Sequence, residues 1–293
     1  VRDSVSRLEE LGAGAVSAGG HGYPAILSGI PDPPAILFHR GSLEEFCRLP
    51  SVAVIGSRRA SRYGMDSAAY MTRGLARAGV GIVSGLARGI DAAAHRACLD
   101  AGGMTAAVLG CGLDVAYPPE HAGLADEIAA HGALLTEYPP GTRPEAYNFP
   151  SRNRLISGLS LAVLVVEAGD RSGTMITVDA ALEQGRDVFA VPGEISRPCA
   201  RGTNRLLREG AMVATCPEDI LEALGICRNP GDDQSAGPAP RHPVTALLAR
   251  GALHFDELCR LSGIAAVDLQ GVLLELELSG AVVRRPGGFY SLP

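Results

Sequence analysis

From residue 51 onward, short β-branched runs alternate with longer stretches of helical spacing, and this alternation constrains the fold more than any other feature of the chain. "SVAVIG" (51–56), "VGIVSG" (80–85), "TAAVLG" (105–110), "ALLTEY" (133–138), "LAVLVVEA" (161–168) and "DVFAVPG" (187–193) read as strands. Between the first two, "GMDSAAYMTRGLARAG" (64–79) sets Ala68, Met71, Leu75 and Ala78 at helical spacing. Further helices are expected over about 89–100, 121–131 and 174–184. Strands that are apolar on both faces and separated by helices belong to a parallel sheet covered on both sides. Residues 46–225 are therefore read as a doubly wound α/β domain.

The flanks differ in character. Residues 1–45 read as part of a small helical domain followed by the extended, proline-rich "YPAILSGIPDPPAILFHRG". Residues 226–242 have linker composition, with Pro, Gly, Asp and Ser and little to bury. Residues 243–293 give three short helices and a strand pair turning at Pro286–Gly288, the order of a winged helix.

A chain of 293 residues suits about two domains. It has no run of eighteen apolar residues, and "VRDSVSRLEELGAG" is too charged for a secretory signal, so no membrane association is expected. Seven cysteines without a CxxC pair argue against zinc and disulfides and fit a reducing cytoplasm. No metal or cofactor is expected. All 26 basic residues are arginine, which excludes a Schiff-base lysine and a Walker A site. A phosphate held by a side-chain cation must be held by guanidinium. The net charge of −6 hides local patches: residues 46–65 hold four arginines and no acid, and residues 195–208 repeat that pattern.

Open α/β sheets take ligands beyond the carboxyl ends of their strands. The passages there are "GSRRAS", "SGLARGIDAAAH", "GCGLDVAYPP", "EAGDRSGTMIT" and "PGEI", each with glycine at a strand-to-helix turn. The dinucleotide fingerprint GxGxxG is absent. Ser57, Ser84, Ser172 and Thr174 add hydroxyls, and Arg58, Arg88, Arg152, Arg154 and Arg171 add charge. Together they amount to an anion cradle longer than one nucleotide needs. "NFPSRNRLISG" (148–158) concentrates donors in a connector that could grip a phosphate or pin a loop. Asp91 and His95 stand four residues apart, which favours helix packing over acid–base work. Glu137 and Glu167, at strand ends, either face a ligand or hold loop N–H groups. Cys111 has no evident basic partner.

The motifs "VAVIGSR" (52–58), "IVSGLARGIDAAAHRACL" (82–99), "LGCGLDVAYPPEH" (109–121), "TEYPPG" (136–141), "NFPSRNRLISGLS" (148–160), "EAGDRSGTMIT" (167–177), "ALEQGRDVFAVPG" (181–193) and "GTNRLLREGA" (202–211) occur in one order. In that order the chain resembles the DNA-processing protein A (DprA/Smf) family. The resemblance implies a Rossmann-like domain that binds single-stranded DNA in natural transformation, protects the incoming strand and helps load the RecA recombinase. It also implies a homodimer through that domain and no enzymatic turnover. Matching positions assign Gly56, Ser57 and Arg58 to phosphate, Phe149 to a base, and Arg152, Asn153 and Arg154 to the nearby backbone, with Ser172, Gly173 and Thr174 closing the cradle. Arg59, Ser84, Gly85, Arg88, Gly89, Asn148 and Thr177 complete the expected site. Arg152 is expected to point outward to phosphate, and Arg154 to face DNA or brace its segment against Glu137 or Glu167. With aromatics at 4% and no tryptophan, base contacts should be few, and three to four phosphates per protomer should dominate.

An alternative is a nucleotide N-glycosidase of the "lonely guy"/lysine-decarboxylase-like type, whose signature is PGG-x-GT-x-x-E. Here "EAGDRSGTMITVDA" keeps Gly173 and Thr174 but displaces the acid to Asp179. In the winged-helix segment, the expected recognition helix (265–279) carries Asp268, Glu275 and Glu277 and no base, so an interaction role is expected there instead of duplex reading.

Overall fold

The structure, a computed structural model, describes residues 2–170, 172–226, 243–248, 251–278, 282–285 and 287–292. Most of the expected linker (227–242), Arg171 and Pro286 lie outside the described residues. The chain divides into two compact units, residues 1–228 and 229–293.

The first unit begins α1 (Arg2–Glu10), β1 (Ala13–Ser17), α2 (Ala25–Ser28), β2 (Ile36–Gly41), α3 (Leu43–Phe46), β3 (Ser51–Gly56), α4 (Arg62–Arg77), β4 (Gly81–Ser84), α5 (Ile90–Asp100) and β5 (Thr105–Val108). After a 3-10 turn at Pro119–His121 come α6 (Ala122–His131), β6 (Ala133–Thr136), α7 (Asn148–Gly158), β7 (Ala162–Glu167), α8 (Thr174–Glu183), β8 (Asp187–Ala190), α9 (Arg201–Arg208), β9 (Met212–Val213) and α10 (Pro217–Ala223).

Among the described residues these strands form one nine-stranded sheet in the order β1-β2-β6-β5-β4-β3-β7-β8-β9. From β6 through β9 every pairing is parallel. Two findings differ from the sequence reading. The first 45 residues are no separate helical piece: β1 and β2 pair antiparallel, and β2 adds antiparallel to β6, with Phe38 opposite Thr136. The proline-rich stretch thus ends in a strand that covers the open edge of β6. Residues 148–158, read as a connector, form helix α7. Its inward stripe of Arg152, Leu155, Ile156 and Gly158 is buried, and this packing outweighs the poor helix propensity of its Asn, Ser and Pro residues.

Strand pleating divides the core between the two faces. Ala53, Ile55, Val163 and Val165 pack toward one face with Leu155 and Val178, while Val52, Val54, Leu164 and Val166 pack toward the other with Met71 and Leu75. The β3–β7 register slips after Ile55, so that Gly56 pairs with Glu167 instead of Val166. Strict alternation from Val163 and Val165 would send Glu167 to the α7/α8 face. The bulge lets its carboxylate reach Ser61 at the start of α4.

The second unit comprises α11 (Pro243–Leu248), β10 (Leu253–His254), α12 (Phe255–Ser262), α13 (Ala266–Leu278), β11 (Val283–Arg285) and β12 (Phe289–Ser291). Its antiparallel strands are ordered β10-β12-β11, one more than the expected pair, and Val244, Leu248, Leu258, Leu269, Leu273, Val282 and Tyr290 form its core. This is a winged helix. Arg284 and Arg285 are exposed on its wing. No helix among the described residues is long and apolar enough to cross a membrane.

His95 is a packing residue, bonded through Nδ1 to Thr105 Oγ1 at 2.7 Å. Thr105 donates its own proton to Ile82 O at 2.8 Å, so His95 must be the neutral Nδ1–H tautomer. Burial lowers its pKa from 6.5 to about 3. The unfolded chain therefore takes up a proton below about pH 6.5 that the folded state refuses until about 3. His95 thus costs stability as pH falls, by up to ~1.4 kcal/mol per pH unit. Urea melts between pH 7 and 4 should show a shallower acid loss for His95→Gln than for the natural chain.

Candidate functional site

Strand order reverses between β3 and β7, and a cleft of about 610 Å³ opens at their carboxyl ends. Its walls are the loop after β3 (Gly56–Arg59), the exposed side of α7 (Phe149, Asn153) and the turn from Ser172 into α8 through Thr177. Tyr117 closes it on the β5 side.

Each wall is fixed by local bonds. Ser57 N–H donates to Glu167 O at 2.7 Å, and Arg59 N–H donates to Ser57 Oγ at 3.1 Å. Glu167 accepts from Ser61 N–H at 2.9 Å and from the Ser61 hydroxyl, while Ser61 Oγ caps α4 by accepting from Gly64 N–H. Glu167 is therefore a loop holder, which resolves its two readings. Gly89 sits under the loop at φ +78°, where a Cβ would lie 2.2 Å from Ser57 O. On the opposite wall, the Ser172 hydroxyl donates to Thr174 Oγ1 at 2.8 Å and accepts from Thr174 N–H, which leaves the Thr174 hydroxyl proton for the cleft.

The arginines divide sharply. Arg58 and Arg59 are exposed and take part in no ion pair among the described residues. Arg152 does not point outward. It is 3% exposed, and its Nη1 donates to Gly85 O at 2.9 Å and to Val108 O. Its guanidinium and the buried Asp91 carboxylate flank Gly85, where a Cβ would lie 2.8 Å from each. Asp91 accepts from Gly85 N–H at 3.1 Å and Ala87 N–H at 3.3 Å. Burial raises the Asp91 pKa, with Arg152 opposing, and lowers that of Arg152 to about 10, so the guanidinium stays charged at neutral pH. The carbonyls at the ends of β4 and β5 draw this side chain inward, because buried acceptors are satisfied by donors.

Arg154 braces α7. Nη1 and Nη2 bond Glu137 at 2.8 and 2.7 Å, and Nε bonds Asp32 at 3.0 Å. Ser84 is fully buried with its hydroxyl on Val54 O, and Gly85 is buried beside it. Asn148 is buried too, donating to Gly110 O at 3.0 Å and Arg143 O at 3.3 Å. Ser84, Gly85 and Asn148 are absent from the lining of the main cleft, and Arg152 lines it with its guanidinium committed to the carbonyls beneath. Arg88 is exposed at the rim, outside the lining of the main cleft. Cys111 is buried, and burial pushes its thiol up to about 11, so it holds no thiolate.

Phe149 is half-buried. Its ring lies 5.2 Å from that of Tyr117, with the Arg58 guanidinium 5.4 Å and that of Arg152 5.8 Å from its centroid. Tyr117 escaped the sequence reading, and so did the exposed Tyr147 beside α7. Tyr117 stands in "GCGLDVAYPP", a passage already placed at a strand end, and an aromatic in such a passage was the available signal. The arginine clusters read from the sequence are partly neutralised: Arg62 pairs with Asp66, Arg197 with Glu194 and Arg205 with Glu209.

Arg152→Ala would leave Asp91 buried opposite no cation and should lose roughly 3–5 kcal/mol in chemical denaturation. Arg58→Ala, at an exposed site, should stay within about 0.5 kcal/mol of the natural chain.

Residues 15–225 match the family described as DNA recombination-mediator protein A, and residues 228–288 match the DprA winged helix domain. Protein Smf of Escherichia coli K12 is 41% identical over 303 residues, covering 100% of this chain and 81% of that protein. The DNA processing protein DprA of Streptococcus pneumoniae R6 is 48% identical over 199 residues, covering 68% of this chain and 70% of its own. The X-ray structure of S. pneumoniae DprA superposes with a TM-score of 0.70 at 44% identity, over 74% of this chain and 77% of that one. A DNA processing protein A structure from Helicobacter pylori, described for its single-stranded DNA binding mode, gives 0.66 at 30% identity, over 72% and 95%.

Proposed function

The chain belongs to the DNA recombination-mediator protein A family, and we propose that its α/β unit binds single-stranded DNA in the cleft between β3, β7 and α7. The observation that carries this reading is the pairing of two exposed guanidiniums, Arg58 and Arg59, which make no ion pair among the described residues, with an aromatic wall of Phe149 and Tyr117 in one open cleft. Phosphates fall to Arg58 and Arg59, with the Thr174 hydroxyl on the far wall, held in place by Ser172, and a base stacks against Phe149. Asn153 and Thr177 complete the lining. Contacts of this kind ignore base identity, so the protein holds strands of any sequence, as protection of incoming DNA requires. The H. pylori relative described with single-stranded DNA supports this assignment.

On the family likeness we further assign delivery of the bound strand to the RecA recombinase, a homodimer through the α/β unit and a cytoplasmic setting. The winged helix is assigned to protein interaction, because α13 carries Asp268 and Glu277 where duplex reading needs cations. The N-glycosidase alternative is not favoured: Glu167 is engaged by Ser61, Asp91 by two backbone N–H groups, and Asp179 lies on the exposed side of α8. We read the protein as a binding factor.

With Arg152 and Arg154 committed to the fold, two to three phosphates per protomer remain, fewer than the sequence suggested. A log–log salt titration with labelled oligo-dT should have a slope of roughly −1.4 to −2.1. Arg58→Ala should flatten that slope by about 0.7 and weaken oligo-dT and mixed-sequence strands equally; an unchanged slope would refute the assignment.

A further inference from the structure

We propose that Glu120 occupies, within the protein itself, the position of a DNA phosphate at Arg88, and that strand binding exchanges one anion for the other. This rests on the reading of the cleft as a single-strand site. Arg88 lines a narrow cavity of about 30 Å³ together with Arg58, Tyr117, Phe149 and Arg152. The last four also line the main cleft, so the two spaces adjoin and Arg88 stands beside the cleft at which Arg58 is exposed. Its Nε donates to Glu120 Oε1.

The carboxylate is delivered there by its neighbour. Glu120 lies in the 3-10 turn Pro119–His121, and His121 Nδ1–H donates to Leu86 O at 2.9 Å, two residues before Arg88. That bond ties the turn carrying the acid to the loop carrying the base. Leu86 adopts φ +57°, the left-handed region, so the loop is held in a conformation that a leucine on its own disfavours.

The pair differs from the other arginine contacts around the cleft. Arg152 is buried, and Arg154 is gripped by two carboxylates at 19% exposure. Arg88 and Glu120 are 60% and 48% exposed, joined by one side-chain contact. Exposed ion pairs contribute little, so an incoming phosphate can displace Glu120 without disturbing the fold. Until it does, Glu120 keeps Arg88 neutralised. It lowers affinity for any anion too weak to compete, which favours a polyanion over single small anions.

The test is a double-mutant cycle in the full chain, read as oligo-dT affinity at about 50 mM salt. Glu120→Gln should bind about two- to fivefold more tightly than the natural chain, and the gain should shrink near 0.3 M salt. Arg88→Ala should bind more weakly than the natural chain. The Arg88→Ala/Glu120→Gln double variant should match Arg88→Ala, because the acid acts only through the guanidinium. An equal gain from Glu120→Gln with Arg88 absent would make the effect one of general charge and overturn the assignment. So would Glu120→Gln binding like the natural chain while Arg58→Ala still weakens it, an outcome that leaves the cleft itself standing. Failure of the natural chain to bind oligo-dT would remove both.

Discussion

The guanidinium of Arg152 is the contact on which the rest of the site depends. It reaches from α7 into the layer beneath the cleft and takes the carbonyls of Gly85 and Val108, at the carboxyl ends of β4 and β5. Those ends are where a parallel sheet runs out of ladder partners, and the two N–H groups of one guanidinium nitrogen, Nη1, serve both acceptors. Asp91, on α5, supplies the opposing charge and in turn holds the Gly85 and Ala87 N–H groups. One buried cation thus ties together α7, α5 and two strands. The residues on the outer side of α7, Phe149 and Asn153, are positioned by what lies on its inner side.

The opposite wall follows from the bulge that pairs Gly56 with Glu167. It turns a strand-end carboxylate toward the start of α4, where it fixes Ser61, while the Glu167 carbonyl fixes Ser57. The intervening residues Arg58 and Arg59 project from a loop anchored at both ends. In both walls a side chain bonded inside the protein positions the residues that line the cleft.

Much of this was legible in the sequence. Continuous apolar strands and helical spacing identified the α/β layers, because burial on both faces leaves a strong pattern, and residues 56–59 and 172–177 were placed at the sheet edge by position alone. What escaped were the directions of side chains. "SRNR" carries two arginines of identical chemistry, and one fills a buried site while the other braces a helix, a choice set by carbonyls and carboxylates distant in sequence. The charge clusters misled for a related reason. A window of 195–208 excludes Glu194 and Glu209, the very residues that pair with Arg197 and Arg205 three and four positions away. Likewise β1 and β2 lack the apolar continuity of central strands, since an antiparallel edge with one solvated face does not need it.

The helical state of residues 148–158 bears on how a ligand would be held. A loop gripping a polymer must lose its own freedom at the moment of contact, as the polymer loses its own. In α7 the backbone is already ordered, and Phe149 is confined among Gly110, Tyr117 and two guanidiniums before anything arrives. The entropy of association then falls almost wholly on the ligand. A chain already extended and unstacked has less to lose on entering such a cleft than one that must first be straightened.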